Sequence, residues 1–380
     1  AGFSAYFIAD IGLALAAMFA LLRVGSSEAV LQRVGCVPSE ILMCAIILCV
    51  GPMVAIPRTS ASTFEMAIAP NLPGVSAVVF SVLFFALILA LCIRESAVVD
   101  IVGKVLTPLL LAGLAAIIIK GIVTPLGTIA PEAQIDSAVV TGVKAGYQTM
   151  DALAALNFGA VIAMNIRAQG VVREQDVQRS AIRAGFIAGG LLLAVYAMLG
   201  HAGALTGAAA PGLATGAEVL TVLAERMFGK AGLVLLAAIF MLACFNTCVG
   251  LIACVGEYFH TLLSRIPYPA LAAFFAAASM LIANLGLADI LRLSVPVLNA
   301  LYPVAIVLIT LSFVPGLEQR RRVYPLCIGC TAVQSIAAAL PLGPLSALAN
   351  ALPLAALGFG WVLPAVIGLL AGIFLSCTEE

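Results

Sequence analysis

Apolar runs long enough to cross a lipid bilayer recur along most of this sequence, and they restrict its fold more than any other feature. A helix needs roughly 20 apolar residues to span about 30 Å of hydrocarbon. Of the 380 residues, 63% are apolar and 9% are charged, whereas a soluble domain has about 45–50% and about 25%. The sequence therefore predicts an all-α polytopic membrane protein with a single transmembrane domain over 1–380.

Reading the sequence in windows of this length gives eleven candidate transmembrane helices. They cover 3–23, 39–57, 74–93, 101–123, 143–166, 181–200, 230–256, 268–285, 290–313, 324–342 and 355–376. The stretches 124–142 and 201–229 are rich in Gly, Pro and Ala, and we interpret both as long connections. The expected architecture is a helical bundle embedded in the lipid bilayer.

The charges predict an orientation and exclude one class of partner. The 18 basic and 18 acidic residues cancel, so there is no basic excess of the kind that binds nucleic acid. Placing the loop after the first segment in the cytoplasm puts 12 of the 18 Lys and Arg residues inside, as the positive-inside rule requires. Arg320–Arg322 and the loop 167–183 contribute most to this excess. The carboxyl terminus is then cytoplasmic.

One stretch with helix breakers is GPMVAIPRTS, at 51–60. Pro52 and Pro57 each lack a backbone donor and leave carbonyl groups without a helical partner. In lipid such carbonyls must be met by protein, water or an ion. Arg58 then lies either beside a polar cavity or at a helix end, where its side chain would reach the interface.

A second such stretch is GYQTMDALAALNFG, at 146–159. An aspartate near the centre of a membrane helix costs about 2.5–3.5 kcal/mol on insertion scales. The glycines at either end would allow local unwinding, and interrupted helices form the substrate and ion sites of secondary transporters. At helical spacing Tyr147, Met150 and Asp151 share one face. The alternative is an interfacial aspartate that caps the start of a helix.

A third polar stretch, ACFNTCVG at 243–250, places small side chains and one hydroxyl on a helical stripe. Hydroxyls on such a stripe coordinate sodium or bond to a neighbouring helix, and helix packing alone explains the pattern equally well. Neither histidine has a second ligand at metal-binding spacing, and there is no Walker sequence. No cofactor is expected, apart from Na⁺ as a possible coupling ion.

Four sequence blocks together resemble the branched-chain amino acid:cation symporter family. They are GPMVAIPRT followed by FE, GYQTMDAL, NLGL and SVPVL, at 51–65, 146–153, 284–287 and 294–298. Each block is weak by itself, but their ordered combination is specific. The resemblance implies a secondary active transporter in the bacterial inner membrane. Its substrates would be leucine, isoleucine and valine, and Na⁺ or H⁺ would enter with them.

The resemblance also implies a leucine-transporter-type inverted-repeat bundle of twelve helices, with eleven of them found here. The second repeat would begin near 143, and the family's first helix has no counterpart. We therefore expect a chain that is truncated at its amino terminus or wrongly started, which leaves open a membrane protein without transport activity. An integral-membrane enzyme is a further alternative, but no His/Asp or Asp/Glu cluster can be assembled from the sequence.

Site residues follow from the same resemblance. The amino acid is expected beside the unwound sixth family helix, with contributions from Tyr147, Thr149, Met150, Asp151, Phe158 and Thr59. The residues expected at a sodium site are Ala243, through its carbonyl, Thr247 and Cys248. Sulfur is a poor ligand for sodium, so proton coupling stays open, with Asp151 as the first candidate to carry the charge.

Overall fold

The computed structural model describes residues 2–24, 27–93, 107–123, 137–156, 166–167, 170–171, 173–209, 216–341 and 343–377. Within these residues the chain is helical and contains no strand. Its α-helices are α1 (Gly2–Val24), α2 (Ser27–Gln32), α3 (Cys36–Leu48), α4 (Ala55–Thr63), α5 (Ala77–Cys92), α6 (Thr107–Val123), α7 (Ala138–Gln148), α8 (151–156), α9 (Glu174–Ala209), α10 (Gly216–Phe228), α11 (Lys230–Leu262), α12 (Tyr268–Ala283), α13 (Leu287–Phe313), α14 (Val323–Ala339), α15 (Pro344–Asn350) and α16 (Val362–Cys377).

Short irregular turns interrupt or extend several of these helices. A π-helical turn, Ile8–Gly12, lies inside α1, and two more, Cys49–Met53 and Phe64–Ile68, flank α4. Two 3₁₀ turns, Leu317–Gln319 and Ala355–Leu357, lie outside the α-helices. π-Turns are rare and often occur at functional sites.

The predicted fold class is confirmed, since each of the eleven predicted segments contains helix wherever the structure describes it. Within the described ranges, five helices are long and apolar enough to cross a membrane: Gly2–Val24, Cys36–Ile68, Glu174–Leu205, Lys230–Leu262 and Leu287–Phe313. Shorter apolar helices occupy other predicted segments, including α5, α12 and α16. The number of crossings, the inverted repeat and the single-domain organisation stay predictions.

The predicted end of the second segment at residue 57 is wrong, because the helical path continues to Ile68. The backbone breaks earlier, at Gly51 (φ −99°, ψ −119°) and Val54 (φ −130°, ψ −62°). Pro57 then lies in the first turn of α4, where a helix needs no backbone donor. The proline that suggested a helix end is part of a helix start.

The predicted connection 201–229 is largely helical in the structure, since α9 extends to Ala209 and α10 occupies Gly216–Phe228. In α10, Leu223, Ala224 and Met227 are buried against the apolar side chains of neighbouring helices. Their spacing matches one face of a helix. The other predicted connection, 124–142, overlaps α7 from Ala138, and 124–136 lies outside the described residues.

The helices form two compact units, each assembled from separate stretches of the chain. Unit 1 comprises Ala1–Ile47, Ile135–Leu193 and Ser294–Glu380. Unit 2 comprises Leu48–Gln134 and Ala194–Leu293. Within unit 2, α11 packs against α4, α5, α6, α10 and α12 and forms its centre.

Glycines allow α1 and α7 to approach closely in unit 1. A Cβ atom added to Gly146 would lie 2.7 Å from the Cβ atom of Ala9, and one added to Gly2 would lie 2.6 Å from the carbonyl oxygen of Ala138. A Cβ at Gly142 would likewise overlap the Gly2 carbonyl. This close packing places the π-turn of α1 against the end of α7.

Gly142→Ala is therefore expected to destabilise the protein although alanine is the better helix former. Overpacking of this kind costs about 1–3 kcal/mol. Gly190→Ala is the matched control, because no atom lies within 4 Å of a Cβ at that helical position. Thermal unfolding of the purified protein in detergent should show a lower midpoint for Gly142→Ala alone. Equal midpoints for the two variants would contradict the described packing of α1 on α7.

Candidate functional site

The helix that carries the predicted site is interrupted between Gln148 and Asp151. At the end of α7, the Thr149 and Met150 amides donate to Gly146 and Tyr147 (3.3 and 3.4 Å). Met150 then adopts φ 66°, a conformation that is costly for a residue with a side chain. Helix α8 begins beyond it, with the Ala154 amide 2.9 Å from the Met150 carbonyl oxygen.

The interruption places Asp151 at the first position of α8 and partly buries it. A carboxylate there is favoured by the positive end of the helix dipole. The helix face predicted for Tyr147, Met150 and Asp151 is wrong, because no continuous helix connects these residues. Unwinding within the motif is observed, but Gly146, which suggested it, remains helical.

Tyr147 and Met150 are buried beside this interruption. The ring of Tyr147 is 8% exposed and stacks on Tyr302, with ring centroids 4.8 Å apart and planes 18° apart. Met150 is 6% exposed. Both packed side chains hold the end of α7 in a fixed position, which favours a preorganised binding site.

A second carboxyl group, that of Asp10, lies directly at the interruption. Asp10 belongs to the π-turn of α1 and is 1% exposed. Its Oδ1 accepts a hydrogen bond from the Thr149 hydroxyl at 2.8 Å, and the single hydrogen of that hydroxyl is shared with the Gly146 carbonyl oxygen at 2.7 Å. The other carboxyl oxygen of Asp10, Oδ2, has no hydrogen-bond donor in the described part of the chain. Asp151 follows Thr149 by two positions, on the other side of the interruption.

The interruption thus has two acidic residues beside it, Asp10 fully buried and Asp151 partly buried. Like charges repel each other more strongly in a buried site than in water. Asp10 thus packs against the end of a neighbouring helix through a polar contact that the sequence alone does not locate. The free-energy cost of placing an aspartate in a membrane helix suggested a role for Asp151, and the same cost applies to Asp10.

A cavity of about 190 Å³ opens next to Tyr147, among α7, α13, α14 and the segment that precedes α16. Ligand pockets usually measure roughly 300–1,000 Å³, so this one suits a small solute. Its polar lining includes a cation, three amides, a hydroxyl and an indole: Lys144, Asn299, Gln334, Asn350, Ser335 and Trp361. Such groups bind carboxylates and hydrogen-bonding solutes.

Four further predicted residues lie in unit 2. The Thr247 hydroxyl is exposed and donates to the Ala243 carbonyl oxygen at 2.9 Å. Cys248, next in sequence, is fully buried, with its sulfur 3.9 Å from the Ile56 carbonyl oxygen. Thr59 donates to the Ala55 carbonyl oxygen at 2.6 Å. The sodium site and the role of Thr59 stay predictions.

Phe158 lies outside the described residues. Of the predicted substrate-binding residues, the structure thus brings four together at one helix break in unit 1. These are Tyr147, Thr149, Met150 and Asp151.

Helix α14 connects the cavity to a basic cluster at its other end. Arg33 donates to the Tyr324 hydroxyl at 2.9 Å and lies 3.5 Å from Glu318. Arg23 donates to the Phe313 carbonyl oxygen at 2.9 Å. Tyr324 and the cavity residue Ala338 are 14 positions apart on this helix, or about 21 Å at 1.5 Å per residue. Unit 1 therefore has a basic end and a cavity end.

Apolar helices of membrane length, together with a broken helix and a buried carboxyl group beside it, are typical of integral membrane transporters. The sequence profile of the family "Branched-chain amino acid transport protein" matches residues 1–379. The chain belongs to this family, and the resemblance found in the four sequence blocks is confirmed.

Curated relatives agree with this assignment. The chain is 36% identical to the branched-chain amino acid permease BraB of Bacillus subtilis, over 98% of this chain and 86% of that protein. It is 38% identical to the branched-chain amino acid transport system 2 carrier protein of Pseudomonas aeruginosa, over 97% of this chain and 86% of that one. Identity to the permease BrnQ of Bacillus subtilis is 33%, over 98% and 88%.

Thr149→Val should destabilise the protein by about 1–3 kcal/mol, because it leaves a buried carboxyl oxygen without its donor. Thr310→Val is the matched control. Thr310 is exposed and donates only within its own helix, to the Ile306 carbonyl oxygen at 2.7 Å. Thermal unfolding in detergent should separate the two variants. Equal stability would mean that the Thr149–Asp10 bond contributes nothing.

Proposed function

We propose that this protein imports branched-chain amino acids across the bacterial inner membrane by alternating access, with entry of Na⁺ or H⁺ as the driving force. The observation that carries the proposal is the broken helix with acidic residues beside the break, in a member of a branched-chain amino acid transport family. Interrupted helices that carry ionisable groups are typical of solute and ion sites in secondary transporters. The named relatives are permeases and carriers for the same class of solute.

The proposed substrates are leucine, isoleucine and valine. They differ by one methylene group or its position, which an apolar pocket distinguishes by only about 1–3 kcal/mol. One site can therefore accept all three. The substrate ammonium group needs a negative partner, which Asp151 offers. Thr59, Thr149, Met150 and Phe158 remain proposed contributors to substrate binding.

The cavity offers a route for the substrate to the helix break. Lys144 provides a positive charge for the substrate carboxylate, and Tyr147 lies between the cavity and Thr149. We propose that the cavity binds the amino acid on its way to the broken helix.

The driving cation is Na⁺ or H⁺. A sodium ion could be coordinated by the Ala243 carbonyl and Thr247, with Cys248 as a weak partner. A proton could be carried by Asp151. Neither choice alters the proposed substrate class.

The proposed orientation follows from the two ends of unit 1. Arg23, Arg33 and the run Arg320–Arg322 favour a cytoplasmic basic end, in line with the positive-inside rule. The cavity would then open to the outside, and the carboxyl terminus would be cytoplasmic. This orientation suits an importer, because the substrate meets the cavity first.

The direct test is uptake of radiolabelled leucine by proteoliposomes that contain the purified full chain. Inward Na⁺ and H⁺ gradients are imposed separately, and empty liposomes are the control. We expect one of the two gradients to drive accumulation of radiolabelled leucine. Unlabelled isoleucine or valine should reduce this accumulation by competition, whereas lysine should not. Failure of both gradients to drive uptake would support the alternative of a membrane protein that does not transport.

Lys144→Ala should raise the leucine concentration needed for half-maximal uptake by about 10- to 100-fold, because a hydrogen bond to a charged group contributes about 1.5–3 kcal/mol. Lys120→Ala is the matched control: Lys120 belongs to unit 2, lies near the Phe228 ring and does not line this cavity. Concentration series of initial uptake rates would measure the effect. An equal response of the two variants would remove the cavity from the substrate route.

A further inference from the structure

We infer that the cavity beside Tyr147 binds small aliphatic carboxylates whether or not they carry an ammonium group, and that Lys144 and Trp361 hold the carboxylate. The inference goes beyond the proposed function, because it extends the ligands of this cavity to acids that are not amino acids. It uses residues of unit 1 alone. It concerns binding and does not depend on transport.

The first argument is the charge of the cavity lining. Lys144 is the cation there, and the described residues that line the cavity include no Asp or Glu. Within the described part of the chain, Lys144 forms no ion pair. An anion in the cavity would therefore meet an unpaired positive charge. An ammonium group would be repelled by that charge and would find no carboxylate beside it.

The second argument is that the fold keeps Lys144 at the cavity. A Cβ atom added to Gly358 would lie 3.4 Å from Cε of Lys144. Gly358 follows the 3₁₀ turn Ala355–Leu357 and has φ 83°, a conformation that glycine adopts readily. The segment that precedes α16 thus lies beside the lysine side chain, and the same segment carries Trp361.

The third argument is a hydrogen-bond donor without an acceptor. Trp361 lines the cavity, and its indole N–H is shielded from solvent and has no acceptor in the described part of the chain. Leaving such a donor unpaired costs free energy. A carboxylate has two acceptor oxygens and no donor. One oxygen can therefore bind Lys144, while the other accepts from Trp361 once the indole ring turns towards it.

The other hydrogen-bonding side chains of the lining do not select an ammonium group. They are Tyr147, Asn299, Gln334, Ser335 and Asn350, and each is uncharged and can both donate and accept. The amides of Gln334 and Asn350 already donate to backbone carbonyl oxygens, at 3.3 and 2.9 Å. The Ser335 hydroxyl does the same, at 2.9 and 3.2 Å. The lysine therefore determines which charge the ligand carries.

The apolar part of the lining suits an aliphatic group. It includes Val143, Pro303, Ala338, Ala339 and Leu357. Moving methylene groups from water to such a surface favours binding. The cavity measures about 190 Å³, which limits the ligand to a short chain. The ligand class is thus a carboxylate with a short or branched aliphatic chain.

The test compares isocaproate, which is leucine without its amino group, with isoamylamine, which is leucine without its carboxylate. Trp361 is the one tryptophan of the chain, so tryptophan fluorescence of the purified full chain in detergent reports on this cavity. At neutral pH we expect isocaproate to change the fluorescence in a saturable way, because the indole ring turns on binding. Isoamylamine should leave it unchanged. A tryptophan amide in the same detergent corrects for effects on the micelle.

Lys144→Ala should weaken isocaproate binding by about 10- to 100-fold, because a hydrogen bond to a charged group is lost. Lys120→Ala is again the matched control and should bind isocaproate like the wild type, since Lys120 belongs to unit 2 and does not line the cavity. The inference is overturned if isocaproate causes no saturable change, if isoamylamine binds equally well, or if Lys144→Ala keeps the wild-type affinity.

Trp361→Phe removes the indole donor and keeps an aromatic ring. Since this variant lacks the fluorophore, equilibrium dialysis with radiolabelled isocaproate measures its binding, and uptake by detergent alone is subtracted. We expect the affinity to fall by about tenfold. The thermal unfolding midpoint without ligand should not fall, because no bond to the described part of the protein is lost. A lower midpoint with unchanged affinity would show a structural role and overturn the inference. If Trp361→Phe does not fold, the exposed position Lys144 decides.

These measurements separate the inference from the proposed function. Saturable isocaproate binding in a protein that fails to take up leucine would refute the proposed transport and support the inference. Leucine uptake by a protein that does not bind isocaproate would support transport and overturn the inference.

Discussion

The hydrogen bond from Thr149 to Asp10 joins two irregular backbone segments, and the local structure of unit 1 depends on it. One partner lies in a π-turn of α1 and the other at the interruption between α7 and α8. A buried carboxyl group without a partner would destabilise the protein strongly. The bond forms only because glycines allow the two helices to approach closely. The small size of the glycines where α1 and α7 meet thus allows the Thr149 hydroxyl to come within hydrogen-bonding distance of the Asp10 carboxyl.

The sequence predicts the fold class well because hydropathy over about 20 residues reports directly on the solvent around a helix. It also predicts unwinding near Asp151, where a charged side chain and glycines occur together in an apolar run. Helix limits are less predictable. Pro57 is compatible with a helix end and with a first turn, and the sequence alone does not distinguish the two. The small residues around α10 similarly made its buried apolar face difficult to predict from the sequence.

The partner of Asp10 could not be predicted from one sequence, because 139 positions separate it from Thr149. Hydropathy shows that burying the Asp10 carboxyl costs free energy, but it does not show which helix provides the hydrogen-bond partner. The predicted face of Tyr147, Met150 and Asp151 failed for a related reason. It assumed helical periodicity across a break whose position depends on the positive φ of Met150. Long-range pairing and local backbone distortion both depend on tertiary packing.

This long separation affects how the chain enters the membrane. At a synthesis rate of about 5–20 residues per second, the ribosome needs roughly 7–28 s to add the 139 positions between Asp10 and Thr149. During that interval α1 has been synthesised, but the Thr149 hydroxyl that bonds to its acid has not. An acid in its neutral form, or temporary shelter within the insertion machinery, would carry the nascent chain through this interval. Biogenesis, as well as the finished carrier, is therefore sensitive to the acidity of this one side chain.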